Sequence, residues 1–195
     1  ADISQAVLTV TATAADKEYD GTTTASSTLE LSGLIGSETL ATTGVTGTFS
    51  DQNVGTGITV TIDSSAATLA DGTGSASNYS LVSSGISTDT ADITPFALTV
   101  SGLSASNKVY NANTVAVLTG TASVASGVFS GDTVGLAGTL VGTFADKNVA
   151  DDIAVTVTGN TLTGAQSGNY TVVQQVGLDA NITPFALTVS GLSAS

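Results

Sequence analysis

The chain is predicted to be all-β, built of tandem immunoglobulin-like β-sandwich domains in an extended rod, with β-grasp-like modules as the alternative. Three observations lead there. The first is an internal repeat. Ala91-Asp92-Ile93-Thr94-Pro95-Phe96-Ala97-Leu98-Thr99-Val100 returns as Ala180-Asn181-Ile182-Thr183-Pro184-Phe185-Ala186-Leu187-Thr188-Val189, and more loosely from Ala1 to Val10, with starts 90 and 89 residues apart. From Ile93 to Ser106 and from Ile182 to Ser195 the fourteen residues are identical. Self-similarity at a domain-sized period marks a tandem array. The second is short runs in which apolar residues alternate with Thr or Ser, the period of a half-buried strand. The third is the lack of any useful helical period, in a chain rich in Thr, which favours pleated surfaces. The expected domains are residues 1–94, residues 95–183, and residues 184–195 as the start of a third, truncated repeat.

Each element of the first repeat has its own signal. In Val7 to Thr13, Leu8, Val10 and Ala12 alternate with Thr9, Thr11 and Thr13. Asp20-Gly21 signals a turn. Thr28 to Leu34 alternates again, Gly33 to Ser37 reads as loop, and Glu38 to Thr42 as a short strand. Gly47-Thr48-Phe49 leads into the loop Ser50 to Gly55, and Ile58-Thr59-Val60-Thr61-Ile62 is the cleanest strand. Asp63 to Ser77 reads as a connection rich in Ser, Ala and Gly. Asn78 to Val82 and Thr88 to Ile93 complete about seven strands. The second copy replays this order with one extra residue near Gly102, which a β-bulge or a longer turn would absorb. The β-grasp alternative needs a helix, for which only Ser32 to Thr43 has room.

At each junction Ala91 to Thr94 reads as a last strand and Ala97 to Val100 as a first. Pro95 donates no ladder hydrogen bond and holds Thr94 extended. With Phe96 placed to pack at the junction, the stretch reads as a short, semi-rigid hinge.

Composition excludes several functions. Sixteen Asp and Glu against three Lys give a formal net charge of −13. Nucleic-acid binding depends on Lys and Arg neutralising phosphates, so nucleic acid and anionic lipid are excluded as partners. No apolar run is long enough for membrane insertion. Without Cys or His there are no disulfides, thiolate metal sites or nucleophilic triads of the common kinds. The chain reads as no enzyme, and as a monomer.

Eight of nine aromatics recur at equivalent places: Tyr19 with Tyr110, Phe49 with Phe144, Tyr79 with Tyr170 and Phe96 with Phe185, leaving Phe129 unpaired. In a core of Ala and Val such rings are the largest apolar groups, so they read as structural anchors. Lys17 and Lys108 also recur. The favoured role is a surface ion pair; the sharper one is an isopeptide bond to Asn53, Asn78, Asn148 or Asn169. Asp51-Gln52-Asn53, Asp71-Gly72-Thr73-Gly74 and Asp151-Asp152 are the acidic clusters, read as turns. No cofactor is expected, with calcium at the domain junction as the alternative.

Lys17-Glu18-Tyr19-Asp20-Gly21-Thr22, Gly47-Thr48-Phe49-Ser50-Asp51-Gln52-Asn53-Val54-Gly55, Asn78-Tyr79-Ser80-Leu81 and Ala91-Asp92-Ile93-Thr94-Pro95, taken in order, resemble the YDG-type repeats of large bacterial surface adhesins. Such repeats are similar to MBG-type modules and to segments of filamentous-haemagglutinin-like, two-partner-secreted proteins. The resemblance spans both copies, and the second departs from it at Tyr110-Asn111-Ala112, where the Asp-Gly pair is lost. It implies secretion, a place on the bacterial cell surface, and a long stalk. The functional expectation is therefore a spacer that projects a distal binding region, its partners being neighbouring repeats of the same chain. The alternative is repeats that themselves bind extracellular glycan or matrix polymer through Thr-rich faces.

Overall fold

A computed structural model describes residues 2–82, 85–124 and 127–191. The chain is all-β and divides into two compact units, Ala1–Phe96 and Ala97–Ser195. The first contains β1 (Ala6–Ala14), β2 (Lys17–Glu18), β3 (Thr24–Ala25), β4 (Ser27–Ser32), β5 (Leu40–Thr43), β6 (Thr46–Phe49), β7 (Gly55–Asp63), β8 (Thr68–Asp71), β9 (Tyr79–Leu81) and β10 (Ile86–Thr94). The second contains β11 (Phe96–Ala105), β12 (Lys108–Val109), β13 (Val115–Ala116), β14 (Leu118–Val124), β15 (Gly135–Ala137), β16 (Val141–Phe144), β17 (Ala150–Thr158), β18 (Thr161–Thr163), β19 (Tyr170–Val173) and β20 (Leu178–Thr183).

The two units share one plan. In the first, a sheet ordered β4-β1-β9 faces a sheet ordered β2-β10-β7-β6-β3, with β5 and β8 forming a separate ribbon. The second has β14-β11-β19, β12-β20-β17-β16-β13 and the ribbon β15-β18. The alternating residues meet in the core. Leu8 and Leu29 come from the smaller sheet, and Val60, Ile62, Ala91, Ile93 and Phe49 from the larger. Thr59 and Thr61 face outward, as period two requires. Exposed Thr pairs bridge strands at facing positions, Thr13 to Thr28 and Thr43 to Thr68, each 2.9 Å between hydroxyls.

Three details differ from the sequence reading. The connection from Asp63 to Ser77 contains β8, paired with β5 in register Leu40↔Asp71 to Thr43↔Thr68. Counting the two-residue strands, each unit has ten among its described residues, rather than about seven. Between Ser32 and Thr43 there is strand, turn and irregular chain, with no α-helix, so the β-grasp alternative lacks its helix. Near Gly102, where the second copy carries its extra residue, the chain has a bulge rather than a longer turn. The pairing of β11 with β14 shifts register between Ser101 and Leu103, whereas β1 and β4 run unbroken from Thr9↔Ser32 to Ala14↔Ser27. Gly102 faces two residues of β14, Thr121 and Ala122, and Leu98 and Val100 point inward before this bulge and Leu103 after it. Gly102 has φ +93°, and a Cβ on it would meet the Thr121 carbonyl oxygen at 2.4 Å. Only glycine fits there.

Candidate functional site: the last strand and its lysine-held clamp

The chain leaves each unit along its last strand, β10 or β20, and the residues singled out by repetition gather around the end of that strand. β10 lies between β7, antiparallel, and β2, parallel, with Ile93 facing Lys17 and Thr94 facing Glu18. The Tyr19 N–H donates to the Thr94 carbonyl at 2.8 Å, the Asp92 N–H to Asp16 Oδ1 at 2.7 Å, and the Thr94 hydroxyl to the Lys17 carbonyl at 3.3 Å. The second unit repeats all three. Tyr110 N–H donates to the Thr183 carbonyl at 2.8 Å, Asn181 N–H to Asn107 Oδ1 at 2.8 Å, and the Thr183 hydroxyl to the Lys108 carbonyl at 3.4 Å.

On the other side of the last strand sits a bulge. Ala91 faces Ile58 and Ile93 faces Gly55, so Asp92 spans two residues of β7. Its Oδ1 accepts the Gly57 N–H at 2.8 Å, and Asn181 does the same for Asp152 N–H at 2.8 Å. Gly57 has φ +61° and its counterpart Asp152 φ +50°. Asp152, an acidic-cluster residue, thus fills a left-handed bulge position, which Asp tolerates better than most side chains. That explains why it has no acidic counterpart in the first unit.

The first strand sets the direction of the whole unit. Only Ala15 and Asp16 separate β1 from β2, and the two belong to different sheets. They run on as one strand that changes sheets. Because β2 is parallel to β10, the chain enters a unit at one pole and leaves at the other. β11, β12 and β20 repeat this, with Lys108 facing Ile182.

The recurrent lysines tie down the loop after β2. Lys17 Nζ donates to the carbonyls of Thr22 at 2.7 Å and Thr24 at 3.0 Å, and to Asp20 Oδ1 at 2.7 Å. Its side chain is 16% exposed, and the ammonium stands 5.4 Å from the centre of the Phe49 ring. Lys108 Nζ donates to the carbonyls of Asn113 at 2.6 Å and Val115 at 3.0 Å and to Asn113 Oδ1 at 3.1 Å, and lies 5.0 Å from the Phe144 ring centre. Among the described residues the expected ion pair exists in the first unit only. What both units share is an ammonium held by two main-chain carbonyls and a ring face, so the lysine organises the loop much as a bound cation would. The four asparagines considered for isopeptide bonds lie elsewhere. Asn53 and Asn148 fold back onto Asp51 and Asp146, while Asn78 and Asn169 end the 3-10 turns before β9 and β19.

The turn inside this loop survives a change of sequence. In the first unit Asp20 Oδ1 accepts the Thr22 N–H at 2.8 Å, and Gly21 has φ +73°. In the second, Asn111 and Ala112 replace Asp-Gly, and Ala112 is forced to φ +64°. A non-glycine residue there is strained by about 1–2 kcal/mol.

Tyr19, Phe49, Tyr79, Phe144 and Tyr170 are buried, and Tyr110 is half-buried against the cluster of Ala116, Phe144, Ile153, Val155, Ala180 and Ile182. Phe96 is half-buried at the start of β11, and Pro95 is exposed between β10 and β11. A role the sequence did not suggest belongs to Glu38 and Asp132. The Tyr79 hydroxyl donates to Glu38 and accepts the Ile35 N–H at 3.1 Å; the Tyr170 hydroxyl donates to Asp132 and accepts the Phe129 N–H at 3.0 Å. Phe129, the aromatic with no counterpart in the other copy, thus stands where the first unit has Ile35, stacked on Tyr170 with ring centres 6.3 Å apart. The spacing of an apolar residue and, three positions on, an acid in both copies was the available signal. The Glu38 carboxylate holds the Tyr79 phenol above its ordinary value.

Several other acidic residues serve turns. Asp51 and Asp146 accept the N–H groups of Asn53 and Asn148, and Asp71 that of Ala76. Among the described residues no three acidic side chains converge as metal ligands. A shallow groove of about 470 Å³ in the second unit is lined by Ala154 to Val157 and Val173 to Leu178, with no ring on which a sugar could stack and no charged group. No helix is long and apolar enough to cross a membrane among the described residues.

The YDG domain family profile matches the chain twice in succession, over residues 4–90 and 94–177. No curated protein and no solved structure matches it.

Proposed function

The chain belongs to the YDG domain family, and on that premise we propose that it is a stretch of stalk from a secreted or surface-anchored bacterial adhesin. Its units are immunoglobulin-like modules that follow one another in an extended rod and hold a distal binding region away from the cell. The observation that carries this reading is the parallel pairing of β2 with β10, and of β12 with β20, within each unit. A chain that enters at one pole and leaves at the other gains length with every repeat, about 30 Å for a strand of nine residues. A module whose ends met on one side would add bulk without reach. The surface fits the same role, since a net charge of −13 keeps neighbouring rods apart.

Pro95 and Phe96 form the joint in this reading, a short hinge of limited play. Repeats in such an array are stabilised partly by their neighbours. The unit works without catalysis and without a cofactor, as a monomer, so chelation with EDTA leaves its melting temperature unchanged. Small-angle scattering tests the rod. An elongated profile is expected, loosened by Pro95→Gly with Phe96→Ala while both units stay folded. A compact profile, or saturable binding of the chain to a glycan array, would overturn the spacer reading.

A further inference from the structure

We propose that the pairing of β2 with β10, and of β12 with β20, is a mechanical clamp that bears load when the chain is pulled by its ends. The use of the clamp rests on the stalk reading; its geometry does not. Pulling a unit by its termini draws β1 and β2 back toward the N-terminus and β10 forward toward the C-terminus. Because β2 and β10 are parallel, this slides them past each other, and their cross-strand hydrogen bonds are strained together rather than opened one at a time. The bonds at the departing chain share this load. These are Tyr19 N–H to the Thr94 carbonyl and Asp92 N–H to Asp16, with Tyr110 to Thr183 and Asn181 to Asn107 in the second unit.

Two features suit this use. Thr94 and Thr183 are the last residues before Pro95 and Pro184, so force arriving along the chain meets the clamp at once. The short strand on the other side of the clamp is secured from behind, because Lys17 and Lys108 bind the carbonyls of the loop that follows it. A two-residue strand without that anchor would peel away.

The two units differ in one clamp bond, and this makes the proposal testable. Asp16 offers a charged acceptor and Asn107 a neutral one. The experiment holds the 195-residue chain by its two ends in an optical trap at constant force and compares it with Asp16→Ala, Asn107→Ala and the off-path control Asp51→Ala. If the clamp is the barrier, Asp16→Ala speeds one of the two unfolding events about tenfold and Asn107→Ala the other about threefold, since charged hydrogen bonds are the stronger and forced unfolding follows the unfolding rate. Asp51→Ala leaves both events unchanged. Unaltered rates in both clamp variants, or an equal acceleration by Asp51→Ala, would overturn the clamp. Should one clamp variant fail to fold, the other decides alone. A chain that is compact in scattering yet shows the clamp effect would refute the stalk and keep the clamp.

Discussion

The fourteen residues from Ile93 to Ser106 and from Ile182 to Ser195 are identical, yet their middle portions differ completely in structure. In the first occurrence Phe96–Ala105 is the central strand of a sheet ordered β14-β11-β19, with Leu98 and Val100 essentially buried. In the second, residues 185–191 form no strand, and Leu187 and Val189 are 86% and 81% exposed. Residues 192–195 of the expected third repeat lie outside the described residues. Local propensity is the same in both places, so the strand is made by the partners it meets. Before Pro95 and Pro184 the two copies agree, because there the same residues close the preceding unit. The proline marks where responsibility for folding passes from one repeat to the next.

That contrast can be tested with one substitution made twice. Leu98→Ala should destabilise the second unit by about 3 kcal/mol, as buried Leu truncations do. The chemically identical Leu187→Ala should change stability by less than about 0.5 kcal/mol, as exposed sites do. Urea melts followed by circular dichroism would measure both. Equal effects would mean that the segment is packed in both places.

The next largest effect concerns the lysines. Lys17→Met and Lys108→Met each strip donors from two loop carbonyls, at an expected cost of about 2 kcal/mol. Similar losses in the two units would assign the role to the carbonyls. A loss confined to Lys17 would assign it to the ion pair with Asp20 instead. Smaller again is the turn exchange. Ala112→Gly should stabilise the second unit by about 1 kcal/mol, and Gly21→Ala should destabilise the first by about as much.

Acid separates the units without mutation. In the first, burial pushes the Asp20 carboxyl up, but Lys17 and the Thr22 N–H and hydroxyl outweigh it and hold it below its ordinary value. Ser65 lowers Asp63, and the Ala14 N–H lowers Asp89. In the second unit Asn148 lowers Asp146, and Asn111 stands where Asp20 does. A carboxyl depressed on folding adds stability that is complete above the unfolded value of about 3.9 and is lost as pH falls through the folded value. The first unit should therefore weaken sooner below about pH 4, which residue-resolved NMR would detect.

Much of this architecture was legible in the sequence, because alternation and repetition are strong signals. Ile58 to Ile62 read as a strand with Thr outside, and the surplus residue near Gly102 as a bulge or a longer turn, of which the structure has the bulge. β3 and β8 were not legible. The first is two residues long, and the second carries Thr-Leu-Ala-Asp on a ribbon that buries no side chain fully. The recurrence of Lys17 and Lys108 was plain, but their partners are main-chain carbonyls, which leave no mark on residue type. The parallel pairing of β2 with β10 was hidden for a similar reason. Two residues carry no pattern, and the register is set by bonds to main-chain N–H and carbonyl groups.

That hidden pairing is also the centre of the functional reading, since it places arrival and departure of the chain at opposite poles of each unit. With no native cysteine, Val7→Cys with Thr94→Cys gives a clean pair of spin-label sites, both exposed. Pulsed dipolar spectroscopy should return a distance of about 30 Å, the run of a nine-residue strand. A distribution centred near the sheet spacing of about 10 Å would put both ends at one pole and contradict the rod.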